Sequence, residues 1–192
     1  LDKKKPNFRT KFIRSDLRDL KQLIKVTKNI DCIFHFAGVS DINKVGKAPL
    51  KTITDNVLLT NNLLEACRKN RIKRFIFASS IYTKSSLGNL YTTSKVAAEK
   101  IIKDYSLLFK LKYTILRIAT VYGTNNRGAD VISLFIKKAI KNKNIIVHNN
   151  GLQTRDFIHA KDLASGSLVS MKKKYENKTF IVGSKKKTKI KD

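Results

Sequence analysis

Hydrophobic residues in the chain form short continuous runs that alternate with longer stretches of interleaved apolar and polar positions. Continuous runs are typical of strands buried on both faces of a sheet, and interleaved stretches are typical of amphipathic helices. The pattern predicts strands at 10–16, 31–38, 73–80, 113–120, 144–148 and 178–183. It predicts helices at 17–24, 49–67, 91–110 and 129–142, and a further helix that Asp162 begins or caps.

Strands that alternate with helices predict an α/β fold, with a parallel sheet covered by helices on both faces. In such sheets ligands bind at the edge where the strands end. We therefore expect the candidate site among the residues that follow the predicted strands. These are Asp16, Ala37, Gly38, Ser79, Ser80 and the segment 120–123.

Tyr91 and Lys95 open the long helix that is predicted after Ser80. Residues four apart on a helix are neighbours, with about 5–6 Å between their Cβ atoms, so Lys95 lies beside Tyr91. The spacing alone carries little information, because it also occurs by chance in a chain this rich in Lys. The pair becomes a candidate catalytic site because it follows a strand that ends at Ser80.

The composition is that of one globular domain, with 192 residues of which 42% are hydrophobic. No apolar stretch approaches the roughly 18 residues that a membrane span needs, so we expect no membrane partner. Cys32 and Cys67 lie far apart in apolar segments. This spacing predicts neither a disulfide framework nor a metal site, and it favours a reducing cytoplasm.

The formal net charge of +27 raises the question of a nucleic-acid partner, because clustered Lys and Arg bind phosphate groups. The positive excess is mostly Lys and is shared evenly between the two halves of the chain. The Lys triplets at 3–5, 172–174 and 185–187 are most simply solvated surface. We therefore do not expect nucleic acid as a partner, and an anionic small-molecule substrate would also suit this charge.

Six ordered motifs carry a resemblance to a known family. They are DLRDL (16–20), IFHFAG (33–38), DNVLLTNNLLEAC (55–67), FIFASS with YTTSK (75–80 and 91–95), LRIATVYG (116–123) and QTRDFIHAKDLA (153–164). In this order they resemble the extended short-chain dehydrogenase/reductase family, and most closely its NAD-dependent epimerase/dehydratase group, which includes the UDP-glucose 4-epimerases. The resemblance implies a Rossmann-like doubly wound parallel sheet with part of a smaller C-terminal substrate lobe.

The resemblance also implies the cofactor, NAD with NADP not excluded, and the substrate class, a nucleotide-diphosphate sugar. The cofactor-binding residues that it implies are Asp16, Leu17, Phe36, Ala37, Gly38, Asn56, Ala78, Tyr91 and Lys95. The catalytic residues that it implies are Ser80, Tyr91 and Lys95, and the substrate-binding residues are Ser80, Thr120 and Arg155. The full-length protein is expected to be a homodimer.

The implied chemistry suits these residue types. An unperturbed tyrosine has a pKa of about 10 and is only ~0.1% ionised at pH 7. A neighbouring cation favours the ionised form, so Lys95 together with the positively charged nicotinamide ring is expected to lower the pKa of Tyr91. Tyr91 would then take the proton of a sugar hydroxyl as general base. Ser80 would orient the same oxygen, and Arg155 would bind the diphosphate with its bidentate fork.

One departure from the family pattern concerns the extent of the chain. The glycine-rich fingerprint that binds the cofactor pyrophosphate is absent, so we expect a fragment whose first strand–helix unit lies upstream of Leu1. Residues 1–123 are then the main part of the NAD(P)-binding domain. Residues 124–192 are expected to contribute to the substrate lobe and the last strands of the sheet, and to stop before the lobe is complete.

Three functions remain open at this point. The first is a nucleotide-sugar 4-epimerase that acts by transient oxidation at the C4 hydroxyl. The second is a 4,6-dehydratase or an NADP-dependent keto-sugar reductase, although dehydratases carry an Asp-Glu pair where Ile81 and Tyr82 stand. The third is a non-catalytic NAD-binding regulatory protein, against which the intact catalytic set argues. Thr120 replaces an asparagine common in epimerases, and His35, inside an apolar strand, is interpreted as a core residue.

Overall fold

The computed structural model of the chain describes residues 11–40, 42–85, 89–124, 131–147 and 149–191. Its helices are α1 (Leu20–Val26), α2 (Ile42–Val45), α3 (Pro49–Ile53), α4 (Leu59–Asn70), α5 (Asn89–Phe109), α6 (Val131–Ile140) and α7 (Ala160–Val169). Its strands are β1 (Cys32–His35), β2 (Arg74–Ser80), β3 (Lys112–Ile118), β4 (Thr120–Tyr122), β5 (Thr154–His159), β6 (Lys178–Val182) and β7 (Lys187–Lys189). A π-helical turn (Thr54–Leu58) joins α3 to α4, and a 3₁₀ turn (Ile81–Lys84) follows β2.

The strands form two sheets. Four of them pair in parallel in the order β1-β2-β3-β6. The other three pair in the order β4-β5-β7, with β4 parallel and β7 antiparallel to β5. Because β1, β2 and β3 run in the same direction, the residues that follow them meet at one edge of the sheet. The predicted α/β fold with a parallel sheet is confirmed.

Helices cover the four-stranded sheet on both faces, as the continuous apolar strands predicted. β2 is buried along its whole length, and its alternate residues point to opposite faces. Phe75 and Phe77 pack against α1, α4 and α5 on one face. Ile76 packs with Leu163 of α7 on the other face. Each fully buried side chain of this size contributes roughly 1.5–3 kcal/mol to stability, so this sheet is the rigid base of the site.

The ends of several helices follow from local sequence. Asp19 caps α1, because its carboxylate accepts a backbone N–H of the first turn at 2.9 Å. Pro49 is the first residue of α3, as predicted, where its missing N–H costs nothing. At α7 the prediction that Asp162 begins or caps the helix is wrong. The cap is His159, whose ring nitrogen accepts the Lys161 N–H at 3.3 Å, and Asp162 lies in the first turn.

Two predicted strands are wrong in the part of the chain that the structure describes. Residues 11–16 and 144–147 are irregular, and the end positions 10 and 148 of these predictions lie outside the described residues. An apolar run becomes a strand only when a neighbouring strand satisfies its backbone N–H and C=O groups. No described strand lies beside either segment. In contrast, β5 was not predicted, and it forms because β4 and β7 pair with it.

The described residues contain neither a candidate membrane span nor a candidate metal site. None of the helices in these ranges is long and apolar enough to cross a bilayer. The same ranges hold no group of three or more His, Cys, Asp and Glu side chains that could bind a metal ion. Cys32 and Cys67 are both free thiols.

Candidate active site

The end of β2 and the start of α5 bring Ser80 and Tyr91 together. Ser80 is the last residue of β2, and Tyr91 lies in the first turn of α5. Both residues are buried, with 5% and 7% of their surface exposed. Burial raises the Tyr91 pKa above its usual value, and the nearby Ser80 side chain opposes this shift. In the chain by itself the Tyr91 pKa is thus not lowered, and the expected effect of Lys95 together with the nicotinamide ring stays a prediction.

Lys95 lies one turn after Tyr91 and is also buried. Its Nζ donates to the carbonyl oxygen of Ala78 at 2.9 Å and lies 4.9 Å from the centre of the Phe77 ring. Burial lowers the pKa of Lys95 to about 8, and the carboxylate of Glu99 opposes this shift. The side chain is thus mostly protonated at pH 7 and is held against the end of β2 by a hydrogen bond and a cation–π contact.

Asn56 connects three segments behind this edge. Its Oδ1 accepts the Val39 N–H at 2.7 Å, and its Nδ2 donates to Val39 O at 3.2 Å and to Ser94 Oγ at 2.9 Å. Ser94 Oγ in turn donates to the carbonyl oxygen of Tyr91 at 2.7 Å. Asn56 lies in the π-helical turn, a distortion that often occurs at functional sites. It fixes the segment after β1 relative to the first turns of α5.

Gly38 is the residue of that segment for which only glycine fits. Its φ of +145° is one that side chains rarely adopt, and a Cβ atom there would lie 2.5 Å from Asn56 Oδ1. Phe36 and Ala37 precede it as part of the same segment. Phe36 is 49% exposed and, with Phe34 and residues of α7, lines an apolar groove of about 420 Å³. The segment thus offers backbone and an aromatic ring at the sheet edge, where a flat ligand could bind.

Asp16 and Leu17 lie in the turn before α1. The exposed Asp16 pairs with Arg18 at 2.8 Å, and hydrogen bonds from Arg18 hold the Asp16 pKa at about 2. The carbonyl oxygen of Leu17 accepts a hydrogen bond from Asn62 of α4 at 3.0 Å, which attaches this turn to the helix behind the sheet. The proposed adenine-binding role of these two residues stays a prediction.

Thr120 and Arg155 belong to the second sheet. Thr120 is the first residue of β4 and is partly exposed. Arg155 lies on β5, and its Nη1 donates to the carbonyl oxygen of Thr154 at 3.0 Å. Their proposed contacts with a substrate stay predictions, as do the roles assigned to the residues around Tyr91.

Sequence reasoning missed a buried group of polar side chains next to the site. Ser79, Glu99 and Arg117 are joined by hydrogen bonds between β2, α5 and β3. A signal was present for Glu99, because it follows Tyr91 and Lys95 at intervals of four residues and so lies on the same helix face. Ser94 was missed for the opposite reason, since its contact with Asn56 joins residues 38 positions apart.

The chain is similar to proteins of one family along almost its entire length. Residues 1–183 match the model of the NAD dependent epimerase/dehydratase family. A putative UDP-glucose 4-epimerase of Methanocaldococcus jannaschii is 32% identical over 96% of this chain and 66% of its own length. The human (Homo sapiens) dTDP-D-glucose 4,6-dehydratase is 29% identical over 91% of this chain and 54% of its own length. The chain thus spans about half to two thirds of these relatives.

Solved structures give the same result. The UDP-glucuronic acid 4-epimerase of Bacillus cereus, in complex with UDP-glucuronic acid and NAD, is 27% identical. It superimposes with a TM-score of 0.87 over 94% of this chain and 62% of the other. The UDP-glucose 4-epimerase of Thermotoga maritima, at 22% identity and a TM-score of 0.86, shares the fold. On these matches the chain belongs to the NAD-dependent epimerase/dehydratase family.

Proposed function

We propose that the protein is an NAD-dependent nucleotide-sugar epimerase that acts by transient oxidation at the sugar C4 hydroxyl. The observation that supports this most is the arrangement at the sheet edge, where Ser80 ends β2, Tyr91 lies beside it in the first turn of α5, and Lys95 lies one helical turn further. A hydroxyl donor, an ionisable phenol and an ammonium group are the parts needed to bind a substrate hydroxyl and remove its proton. The family and its epimerase members give the substrate class.

The described residues fit the cofactor at its reactive end. The segment 36–38 offers the exposed Phe36 ring and a glycine backbone at the strand edge, and Lys95 adds a positive charge behind it. Ala78 of β2 and Asn56 of the π-helical turn are proposed to contact the cofactor as well. Asp16 and Leu17 are proposed to lie at the adenine. NAD, when bound, supplies a hydride acceptor that is restored at the end of each turnover.

The residues of the chain would handle the proton. Tyr91 accepts the proton of the sugar C4 hydroxyl at its phenolate oxygen and returns it when the hydroxyl is rebuilt. Ser80 donates a hydrogen bond to the same substrate oxygen. Burial raises the pKa of Tyr91 in the chain by itself, so positive charge at the site has to favour the phenolate, and the Lys95 ammonium is the nearest source on α5.

The substrate would be a nucleotide-diphosphate sugar. Arg155 is proposed to bind the diphosphate, because a guanidinium can hold two phosphate oxygens at once. Thr120 is proposed to contact the sugar. The formal charge of +27 suits an anionic substrate. A homodimeric full-length protein and a cytoplasmic location remain predictions.

A 4,6-dehydratase is the second candidate, because dehydratases are among the relatives. Elimination needs an acid and a base beside the catalytic hydroxyl, and the family's dehydratases place an Asp-Glu pair there. In this chain Ile81 and Tyr82 take these positions, in a 3₁₀ turn that contains no acidic residue. This feature favours the epimerase. A keto-sugar reductase and a non-catalytic NAD-binding protein are left for the experiment to decide.

The test uses the full-length gene product with UDP-glucose, UDP-galactose and their N-acetyl forms, without added reductant. The C4 epimer should appear, and Tyr91→Phe should slow its formation by about 10²–10⁴-fold while NAD binding is kept. Tyr105→Phe is the matched control, because this tyrosine lies on the same helix but its hydroxyl is bonded to Glu65 of α4.

Each other result identifies an alternative. Loss of water to give a 4-keto-6-deoxy sugar would identify a dehydratase, and stoichiometric consumption of NADPH would identify a reductase. Binding of NAD without conversion of any sugar would identify a regulatory protein. Conversion by Tyr91→Phe at the rate of the parent would refute the role given to Tyr91.

A further inference from the structure

Glu99 continues a row of buried polar residues along α5. It follows Tyr91 and Lys95 at successive intervals of four residues, so the three side chains lie on one face of the helix. Their exposed fractions are 7%, 6% and 4%. A carboxylate is almost never buried to this extent unless it is paired, so the partners of Glu99 decide what it does.

Both oxygens of the Glu99 carboxylate accept hydrogen bonds from the sheet. Oε1 accepts from Ser79 Oγ at 2.6 Å and from Arg117 Nε at 3.0 Å, and Oε2 accepts from Arg117 Nη2 at 2.7 Å. Ser79 and Arg117 are direct neighbours across the β2–β3 pair. Their side chains therefore point to the same face of the sheet, where α5 lies. The bidentate geometry fixes the height and rotation of α5 on the two strands.

The charges around Lys95 are not balanced without Glu99. Among the described residues, the titratable and charged groups that face this region are Tyr91 and Glu99 from α5, His35 from β1, Tyr82 from the 3₁₀ turn and, through Glu99, Arg117 and Tyr113 from β3. His35 is neutral, since burial and the charge of Lys95 lower its pKa to about 3. Glu99 is thus the acid of this group, and it is shared by the buried Lys95 and the partly buried Arg117. Lys95 itself donates to the neutral carbonyl of Ala78.

We propose that Glu99 is the positioning residue of the site, whose carboxylate, held by Arg117 and Ser79, keeps the Lys95 side chain charged and in place behind Tyr91. The inference deepens the proposed function and rests on it for the role of Tyr91. Glu99 acts through Lys95 and touches no reacting atom. A purely structural Glu99–Arg117 pair would also stabilise the fold, so the test has to follow the charge of Lys95.

The experiment measures the titration of Lys95 by ¹³C NMR in the full-length protein labelled at the lysine Cε atoms. The Lys95 signal is assigned by its disappearance in Lys95→Arg, and its pKa of about 8 separates it from an ordinary lysine near 10.5. In Glu99→Gln the carboxylate charge is lost at constant shape. The Lys95 pKa should then fall by about one unit or more, the lower end of the effect of a neighbouring opposite charge.

Glu65→Gln is the matched control. Glu65 also pairs with an arginine, Arg68, through both of its oxygens, but this pair lies on α4. The Lys95 titration should be unchanged in this variant. Glu99→Asp keeps the charge on a shorter side chain, so it should shift the Lys95 pKa in the same direction by less. If Glu99→Gln does not fold, the Lys95 titration in Glu99→Asp decides the proposal.

The pH–rate profile of the epimerase reaction provides the second measurement. As the pH rises, the activity that depends on charged Lys95 should fall at a lower pH in Glu99→Gln than in the parent. The displacement should equal the shift found for the Lys95 titration. A Lys95 titration that does not change in the folded variants overturns the proposal. A changed titration with an unchanged pH–rate profile overturns the link to the site. If the parent converts no sugar while the titration shifts, the Glu99–Lys95 pairing stands and the proposed function fails.

Discussion

The parent protein should lose stability as the pH falls below about 6.5, because His35 is buried in its neutral form. Replacing His35 with Gln should remove this loss. His35 is 2% exposed, and its Nε2 lies 2.9 Å from the hydroxyl oxygen of Thr60 on α4. Burial, and to a smaller extent the charge of Lys95, lowers the pKa of His35 from 6.5 to about 3. The ring therefore takes up a proton near pH 6.5 in the unfolded chain and only near pH 3 in the folded one.

The magnitude follows from this difference in proton binding. Between pH 6.5 and 3 the unfolded chain binds one proton more than the folded chain, so acid favours unfolding. The free energy of unfolding is unaffected by His35 above pH 6.5, and it falls by about 1.4 kcal/mol for each pH unit below that value. The loss is about 2 kcal/mol at pH 5 and approaches about 5 kcal/mol at pH 3.

The assay compares free energies of unfolding from denaturant titrations at pH 7.5 and pH 5 for the full-length parent and His35→Gln. The decrease between the two pH values should be about 2 kcal/mol smaller in His35→Gln than in the parent. An equal decrease in the parent and His35→Gln would refute the reasoning.

Two further predictions concern stability and thiol reactivity. Gly38→Ala should lower the free energy of unfolding by about 1–3 kcal/mol, because the new Cβ atom would lie 2.5 Å from Asn56 Oδ1 at a φ of +145°. Denaturant titration measures this decrease. Gly46→Ala is the control, because its new Cβ atom would meet nothing within 4 Å, and it should change the free energy of unfolding by less than about 0.5 kcal/mol. Equal effects of the two substitutions would contradict the clash. Burial raises the pKa of Cys67 to about 12, so its thiol should be unreactive in the folded protein. In a Cys32→Ala background a thiol reagent should therefore modify Cys67 only after unfolding. Rapid labelling of the native protein would contradict this.

The sequence was most informative where local pattern and tertiary structure agree. The runs at 73–80 and 113–120 became β2 and β3 because each is apolar on both faces and has parallel neighbours. The runs at 10–16 and 144–148 carry the same local signal but have no described strand beside them. Hydrophobic periodicity reports how a segment would be buried. It does not report whether a partner strand is present, and the presence or absence of a described partner strand decided these two cases.

The same distinction holds at the candidate site. The neighbourhood of Ser80 and Tyr91 could be predicted, because a strand end and the following helix start share one edge of a parallel sheet. The direction of the Tyr91 pKa shift in the chain by itself could not, because it depends on the depth of burial, which no local spacing reveals. The pair of Glu99 with Arg117 likewise depends on how α5 is rotated on the sheet.

The neutral state of His35 and the charged state of Lys95 follow from one arrangement of groups. The Thr60 hydroxyl donates to the carbonyl oxygen of Asn56 at 2.7 Å, so toward His35 it acts as an acceptor. The His35 ring therefore carries its proton on Nε2, and further protonation would have to occur at Nδ1 in a buried environment close to an existing ammonium group. A second cation there would be repelled by the Lys95 ammonium group. Because His35 stays neutral across the physiological pH range, the positive charge behind Tyr91 is that of Lys95, and its protonation can be adjusted by Glu99 without interference from the histidine.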